Sequence, residues 1–276
     1  MDPPERERAT SLRRGLELML ALGGDDAVRA GGLGVVRLAE IVASDKSRVS
    51  RTLRTLDEYG LVERDETTLA YRLGWRLYAL AARAADARLL EAAPPLLRRL
   101  VAEQGERVHL SVLDGRDVLT VLSEAPGHAV QAAGWIGRTV PAASTSAGRA
   151  LLLDHDRASL RSVVGDGPFA GRGPNVPPDV DAVHARIVAA RARGWVAADE
   201  EFEVGLVAVA APVRDVSGRI VAAVNLSAPK FRLGDALEAA GEATKRVADE
   251  LSSRLGHGTA DADHRAADGD PQSAAP

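Results

Sequence analysis

The 276-residue sequence contains no cysteine. This absence excludes disulfide bonds, a thiol nucleophile and the usual cysteine-based structural zinc site. The six histidines are scattered without the paired spacing of a metal site, at positions 109, 128, 155, 184, 257 and 264. We therefore expect no metal and no other cofactor.

Long apolar runs are also missing. The chain has no stretch of about 18 apolar residues that could cross a membrane. Half of its first 14 residues are charged, and they lack the apolar segment of a signal peptide. We therefore expect a cytoplasmic protein without membrane contact. With 46% hydrophobic and 27% charged residues, the composition is ordinary for a soluble protein, and the length allows two domains.

Basic charge is concentrated in one short segment, although the formal net charge is −4. Residues 1–83 hold 14 Lys and Arg against 13 Asp and Glu, whereas residues 257–276 hold one Arg and four Asp. Between positions 46 and 54 there is no acidic residue, and four residues are basic: Lys46, Arg48, Arg51 and Arg54. If this segment binds nucleic acid, specific contacts should matter more than a broad electrostatic attraction.

Residues 36–73 carry the pattern of a winged helix-turn-helix DNA reader. Two short helical patterns, separated by a polar turn, precede a strand-turn-strand pattern. In the second helix the apolar Val49, Leu53 and Leu56 fall on one stripe, so the basic residues face away from the core. Ser44 or Asp45 is the expected N-cap, and Gly60 is the expected C-cap.

Arginine and serine side chains suit DNA recognition, because arginine can bind guanine O6 and N7 together and serine can bond a base edge or a phosphate. We expect Lys46 and Arg48 to hold phosphates. The expected base-reading or base-positioning residues are Ser47, Ser50, Arg51 and Arg54. In the wing, Arg64 and Arg72 are candidates for contact with the DNA backbone or minor groove. The alternatives are a solvated basic face, or a winged helix that contacts only protein.

The patterns in the remaining sequence indicate an α+β protein. We expect a flexible arm (1–9), an all-helical or winged helix-turn-helix DNA-binding domain (10–74), a linker helix (75–93), a second domain with a mainly antiparallel sheet (94–256) and a disordered acidic tail (257–276). Within the first domain, Leu12, Leu16, Met19 and Leu22 form the expected core face of a helix, and Gly23–Gly34 is expected to be a loop. Pro94 and Pro95 are expected to stop the linker helix. In the second domain the predicted strands are 108–113, 118–123, 195–197, 206–212 and 220–226, and the predicted helices are 96–104, 145–153, 179–193 and 234–255.

Three blocks of sequence, in this order, resemble the IclR family of bacterial transcriptional regulators. They are RLAEIVASDKSRVSRTLRTLDEYGLVER, GRTVPAASTSAGRALL at 137–152 and RGWVAADEEFEVGLVAVAAPVRDVSGRIVAAVNLSAP at 193–229. The likeness covers about residues 10–255. It implies a GAF-like second domain that binds a small organic effector, often a carboxylate or aromatic acid. It also implies a linker helix that helps dimerisation, and palindromic operator DNA bound by a homodimer or a dimer of dimers.

The segment PAASTSAG suits an anion, because Ser144, Thr145 and Ser146 lie at the expected start of a helix, where backbone amides are free. Plain N-capping is the alternative from the residues alone. The resemblance implies an effector loop, with the Thr145 hydroxyl and the amides of Ser146 and Ala147 at the ligand.

The resemblance implies that an acidic cluster and a strand cysteine lie opposite this loop, but here those positions read Ala198, Asp199, Glu200, Glu201 and Ala208. We therefore expect a less polar and roomier pocket, with Trp135 beside it, that suits an aromatic or larger acid or its derivative better than a small keto acid. Asn225 and Ser227 on the last strand are further candidates for ligand contact, or else ordinary surface residues.

Enzymatic activity is not expected. The sequence has no GxSxG elbow and no histidine in a recognisable order with Ser144 or Ser146. Besides a hydrolase, the other alternative to a DNA-binding regulator is a ligand-binding or signalling module whose winged helix meets protein.

Overall fold

The computed structural model describes residues 3–84, 87–127 and 135–258, with the side chains of 3–10 and 81–84 left out. The chain forms two compact units, one up to Ala87 and one from Arg88 onward. The first is helical with a small hairpin, and the second is built on an antiparallel sheet, so the α+β fold class is confirmed.

The first unit consists of four helices and a two-stranded hairpin. These are α1 (Pro3–Leu22), α2 (Asp25–Ala30), α3 (Val35–Ile41), α4 (Lys46–Glu58), β1 (Val62–Arg64) and β2 (Tyr71–Leu73). Helices α3 and α4 are the helix-turn-helix pair, and β1 and β2 are the wing. Their common core contains Leu18, Leu38, Val49, Leu53 and Val62, all fully buried.

Three predictions for this unit need correction. Helix α1 begins at Pro3, so residues from Pro3 to Ala9, predicted as a flexible arm, are helical; proline is tolerated in the first turn, where the missing N–H would have no partner. Of the predicted core face of α1, Leu22 is buried and Met19 packs against the core, whereas Leu12 and Leu16 are exposed and Leu18, which was not predicted, is buried.

The segment from Gly23 to Gly34 is not wholly a loop, because it contains α2. Asp25 and Asp26 favour the positive end of this helix, and Gly31, with φ of 70°, ends it in the left-handed conformation. Ala27 on this helix is buried.

The region after the wing forms α5 (Trp75–Ala84) and α6 (Ala87–Gln104), with residues 85 and 86 outside the described part. The predicted stop at Pro94 and Pro95 is wrong, since both prolines lie inside α6. They remove the amides that would bond to the carbonyls of residues 90 and 91. Burial of the α6 face that carries Leu96, Leu97 and Leu100 outweighs this loss.

The second unit is organised around a six-stranded antiparallel sheet in the order β5-β4-β3-β8-β7-β6. Its strands are β3 (Arg107–Asp114), β4 (Asp117–Glu124), β5 (Thr139–Pro141), β6 (Val196–Asp199), β7 (Leu206–Arg214) and β8 (Ile220–Pro229). A tight turn at Gly115 and Arg116 joins β3 to β4, and β5 was not predicted. The central pairing of β3 with β8 connects segments more than 100 residues apart and brings His109 opposite Asn225.

Helices cover both faces of the sheet. One face packs on α6 and α11 (Leu237–Arg254) through alternate residues such as Val108, Leu110 and Val224. The other packs on α7 (Ser146–Leu151), α8 (Arg157–Val164) and α9 (Val180–Arg191). A short α10 (Lys230–Leu233) and a 3-10 turn (Gly234–Ala236) follow β8, and neither these nor α8 were predicted separately.

Among the described residues, no helix is long and apolar enough to cross a membrane. The predicted disordered tail lies almost entirely outside the described residues, which end at position 258.

Candidate nucleic-acid interface and effector cavity

Helix α4 presents one basic face and buries the other. Val49 and Leu53 are fully buried, as predicted, and Lys46, Arg51 and Arg54 are exposed. Within the part of the chain that the structure describes, none of these three cations has an ion-pair partner. Their charges are available to phosphates or base edges, the use for which the sequence predicted them.

Asp45 caps α4, and it also holds two of the predicted DNA contacts. Its Oδ1 accepts hydrogen bonds from the amide of Arg48 (3.0 Å) and the hydroxyl of Ser47 (2.7 Å). Its other oxygen lies 3.0 Å from Nε of Arg48. The hydrogen bond from Ser47 is the main reason that the pKa of Asp45 lies below its usual value. The side chains of Ser47 and Arg48 are therefore oriented before DNA binds. Ser50, the third predicted contact in this part of the helix, is half-buried.

The two wing arginines differ in their surroundings. Arg72 lies 3.1 Å from Glu63, its partner across the hairpin, so a carboxylate already offsets its charge. The guanidinium of Arg64 lies over the ring of Tyr71 at 5.7 Å. At the tip, Asp65 accepts hydrogen bonds from the amides of Thr67 and Thr68, which fixes the turn. Arg64 is thus the better placed of the two for an additional anionic contact.

A cavity in the second unit lies between the sheet and the loop that leads into α7. It encloses about 580 Å³ of empty space, including the part that opens to solvent. Eight of the predicted effector residues line it: Trp135, Ser144, Thr145, Ser146, Ala147, Ala208, Asn225 and Ser227.

Thr145 is the N-cap of α7. Its hydroxyl donates to the carbonyl of Pro141 (2.9 Å) and accepts from the amide of Gly148 (3.2 Å). The capping interpretation of this residue is thus correct, and it does not exclude ligand contact because the side chain lines the cavity. In the described part of the chain, the amides of Ser146 and Ala147 donate no hydrogen bond.

The loop before α7 is held from two further directions. The Ser144 hydroxyl donates to the carbonyl of Ala170, and Asn225 Nδ2 donates to Ser146 Oγ at 3.4 Å. Gly148 approaches the backbone of Ala142 so closely that a Cβ there would lie 2.1 Å from the Ala142 oxygen. The loop is therefore rigidly placed against the sheet.

Asp199 and Glu200 do not line the cavity, contrary to the prediction. Both bind Lys230, with Nζ at 2.8 Å from Asp199 Oδ1 and 2.7 Å from Glu200 Oε2. The hydrogen bond to Lys230 is the main cause that lowers the pKa of Glu200. Glu200 adopts a positive φ of 50°, and this turn directs the next residue, Glu201, inward instead.

Glu201, which lines the cavity, forms an ionic cluster with the buried Arg149 and the half-buried Arg186. Arg149 Nη2 donates to Glu201 Oε1 at 2.9 Å, and Arg186 Nη1 lies 2.7 Å from Oε2. Arg149 is completely buried and also donates to the carbonyls of Ala143 and Ala197. Two guanidinium groups thus face one carboxylate, which leaves an excess of positive charge near the start of α7.

Sequence reasoning missed the polar residues on the cavity floor: His109, Ser111 and Thr120. They lie on β3 and β4. The alternation of apolar and polar residues around Val108 and Leu110 predicted a strand, but it did not show that the polar face of this strand is also covered. Burial, followed by the charge of Arg107, lowers the pKa of His109 to about 4. The imidazole is therefore neutral near pH 7.

No metal site is evident among residues 3–84, 87–127 and 135–258, where no three His, Asp or Glu side chains are grouped to hold an ion.

Both units match families of known proteins. Residues 11–66 match the IclR helix-turn-helix domain, and residues 81–253 match the C-terminal domain of bacterial transcriptional regulator IclR. The chain is 31% identical to the Pca regulon regulatory protein of Pseudomonas putida, over 79% of this chain and 74% of that protein. It is 32% identical to the HTH-type transcriptional regulator BhcR of Paracoccus denitrificans, over 80% of each chain.

A solved structure shares the fold. It is an IclR homologue from Microbacterium hydrocarbonoxydans, crystallised as a complex with 4-hydroxybenzoate, with a TM-score of 0.73 and 24% identity. The match covers 89% of this chain and 98% of that one. The curated relatives are named as regulators rather than enzymes. The chain therefore belongs to the IclR family of bacterial transcriptional regulators and is a DNA-binding regulator, not an enzyme.

Proposed function

We propose that an aromatic carboxylic acid, or a derivative of one, binds in the cavity between the sheet and α7 and changes the affinity of this regulator for its operator DNA. The observation that carries the proposal is the polarity of the cavity. One end offers unpaired amides at Ser146 and Ala147, and the walls are mostly apolar.

The α7 end of the cavity suits a carboxylate. Free amides at the start of a helix attract anions, and the hydroxyl groups of Thr145 and Ser146 lie beside them. The excess positive charge of the cluster formed by Arg149, Arg186 and Glu201 acts in the same direction. Ser227 and Asn225 add neutral hydrogen-bonding groups from β8.

The walls of the cavity suit an aromatic ring. Val118, Val140, Phe202 and Leu206 provide apolar surface, and Ala208 leaves room where a larger side chain would reduce the volume. The Trp135 ring lies at the same site, 5.4 Å from the ring of His109. The homologue crystallised with 4-hydroxybenzoate supports this class of ligand for a cavity in the same fold.

On the DNA side, α4 enters a major groove, with Ser50, Arg51 and Arg54 at base edges and Lys46 at phosphate. Two copies of the chain then bind two half-sites about 34 Å apart, as helix-turn-helix dimers do. Leu12, Leu16 and Leu20 give α1 an exposed apolar stripe that a second copy would bury. The assembly is thus a homodimer or a dimer of dimers.

The effector acts by binding one arrangement of the dimer more tightly than the other. The helices α5 and α6 connect the two units along the chain, so a change in their relative angle would alter the spacing of the two α4 helices. An effector that favours one spacing then raises or lowers operator affinity.

Calorimetry with the full-length protein tests the ligand class. Aromatic acids such as benzoate should bind, and glyoxylate and pyruvate should bind more weakly or not at all. Tight binding of the two keto acids without any response to aromatic acids would overturn the proposal. Thr145→Ala should abolish the effector response and leave operator binding without effector intact. If operator binding also disappears, the hydroxyl of Thr145 serves folding only.

A further inference from the structure

The floor of the cavity carries a second group of polar side chains, distinct from the α7 end. His109 and Ser111 are two residues apart on β3 and face the same side, and Ser111 lies directly opposite Thr120 on β4. All three line the cavity, and each is at most 5% exposed. Within the described structure, none of the three side chains makes a hydrogen bond, and His109 Nδ1 is completely buried without a partner.

Unpaired polar atoms in a buried site are uncommon in folded proteins. Each one loses hydrogen bonds to water on folding and regains none until a ligand or a trapped water arrives. One such atom, His109 Nδ1, lies beside two hydroxyl groups on the adjacent strands β3 and β4 that open to the same cavity, and this grouping indicates a place where a bound molecule makes hydrogen bonds.

The chemistry of the group defines what it can bind. A neutral imidazole has one donor and one acceptor, and each hydroxyl group can act as either. Among the described residues that line the cavity there is no lysine or arginine, and the single carboxylate among them, Glu201, is paired with Arg149. A second negative charge at the floor would therefore be buried without a counter-ion, whereas an uncharged hydroxyl group would both donate and accept.

We propose that His109, Ser111 and Thr120 form a subsite for an uncharged hydroxyl group of the effector, which makes the effector a hydroxy-substituted aromatic carboxylic acid. This inference rests on the proposed function, since it places the carboxylate at α7 and the hydroxyl group at the sheet. His109 is a specificity-determining residue in this arrangement: it distinguishes the hydroxylated acid from the same acid without its hydroxyl group.

The test is calorimetry of the full-length protein at pH 7 with four probes: benzoate, 3-hydroxybenzoate, 4-hydroxybenzoate and terephthalate. The tighter of the two hydroxybenzoates should bind at least about 10-fold more tightly than benzoate, because benzoate leaves the buried polar groups unpaired. Terephthalate, which carries a second carboxylate instead of a hydroxyl group, should bind more weakly than that hydroxybenzoate.

Two variants of one position separate recognition from folding. His109→Phe keeps an aromatic ring beside Trp135 and should reduce the preference to less than about 2-fold while benzoate affinity changes little. His109→Gln restores a donor and an acceptor and should retain most of the preference. Ser123→Ala is the matched control, because Ser123 lies opposite His109 on β4 but does not line the cavity. It should leave all four affinities unchanged.

The possible negative results can be distinguished from one another. If the wild-type protein binds benzoate as tightly as both hydroxybenzoates, or terephthalate most tightly, the subsite is wrong and the proposed function survives. If His109→Phe weakens benzoate and hydroxybenzoate equally, the preference is unchanged, His109 has only a structural role and the inference is also wrong. If no aromatic acid binds the wild-type protein, the proposed function fails and this inference fails with it.

Discussion

Arg149 and Glu201 form a buried ion pair, with Arg149 Nη2 at 2.9 Å from Glu201 Oε1 and the arginine side chain fully enclosed. The pair joins α7 to the turn that follows β6. Because the carbonyls of Ala143 and Ala197 also accept hydrogen bonds from Arg149, a single guanidinium fixes both sides of the cavity.

Replacing Arg149 with leucine should strongly destabilise the second unit. The change leaves the buried Glu201 carboxylate with Arg186 as its remaining partner and two carbonyls without donors. Loss of one partner of a buried pair typically costs about 3 kcal/mol or more. Urea denaturation monitored by tryptophan fluorescence measures the change in the free energy of unfolding.

The control is Arg157→Leu, which breaks an ion pair with Asp181 on the exposed surface. Exposed pairs contribute little to stability, so this variant should unfold close to the wild type. Equal losses in the two variants would contradict the structural role assigned to Arg149.

Gly148→Ala should displace α7 from the sheet. The new Cβ would lie 2.1 Å from the oxygen of Ala142, a backbone atom that cannot rotate away. We expect a loss of about 2 kcal/mol in unfolding free energy together with loss of aromatic-acid binding. Gly34→Ala is the control, since Gly34 has a negative φ and no heavy atom of the described residues lies within 4 Å of its Cβ position, and the change should affect neither measurement. Normal acid affinity in Gly148→Ala would show that the position of α7 does not define the cavity.

Arg51→Ala and Arg54→Ala should each weaken specific operator binding by about 10-fold, because each removes a cation available to the DNA. Fluorescence anisotropy with labelled operator DNA, at several stated salt concentrations, measures the loss. Arg29→Ala serves for comparison: Arg29 lies on α2 and is paired with Asp26, so its removal should leave affinity unchanged. Undiminished affinity in both α4 variants would place the DNA contact elsewhere.

His109 should make the stability of the second unit depend on pH below neutrality. Burial, and then Arg107, hold its pKa at about 4 in the folded protein, whereas an unfolded chain titrates near pH 6.5. Between these values the unfolded state binds more protons, so stability contributed by the neutral imidazole is lost as pH falls from about 6.5 to about 4. Urea midpoints at pH 4.5 and pH 7 should differ less in His109→Phe than in the wild type. An unchanged difference would mean that the buried imidazole is not the group responsible.

The winged helix-turn-helix was accessible from sequence because its signals are local. The Asp45 cap, the apolar stripe with Val49 and Leu53, and the turn at Gly60 each depend on residues within a few positions of one another. The continuous helix across Pro94 and Pro95 could not be predicted from sequence. Its apolar face is buried against strands that are distant in sequence, and this burial outweighs the helix-breaking tendency of the two prolines.

The cavity was predictable only in part for the same reason. The α7 loop carries a helix-start signal, so Thr145 and its neighbours were found. His109 enters the site because β3 pairs with β8 and β4, and no local pattern encodes that pairing. Glu201 lines the cavity and Glu200 does not, because Glu200 adopts a positive φ. A run of acidic residues does not reveal this backbone conformation.

Control of DNA binding by an acid in the cavity is the central claim, and one anisotropy titration tests it directly. The upstream intergenic DNA of the regulator's own gene is titrated with wild-type protein and with the cavity-filling variant Ala208→Phe, each with and without a panel of aromatic and aliphatic acids. We expect an aromatic acid to change the wild-type affinity by roughly 5- to 150-fold and to leave Ala208→Phe, which still binds the DNA, without a response. Wild-type affinity that no acid changes, or an equal response in Ala208→Phe, would contradict the account.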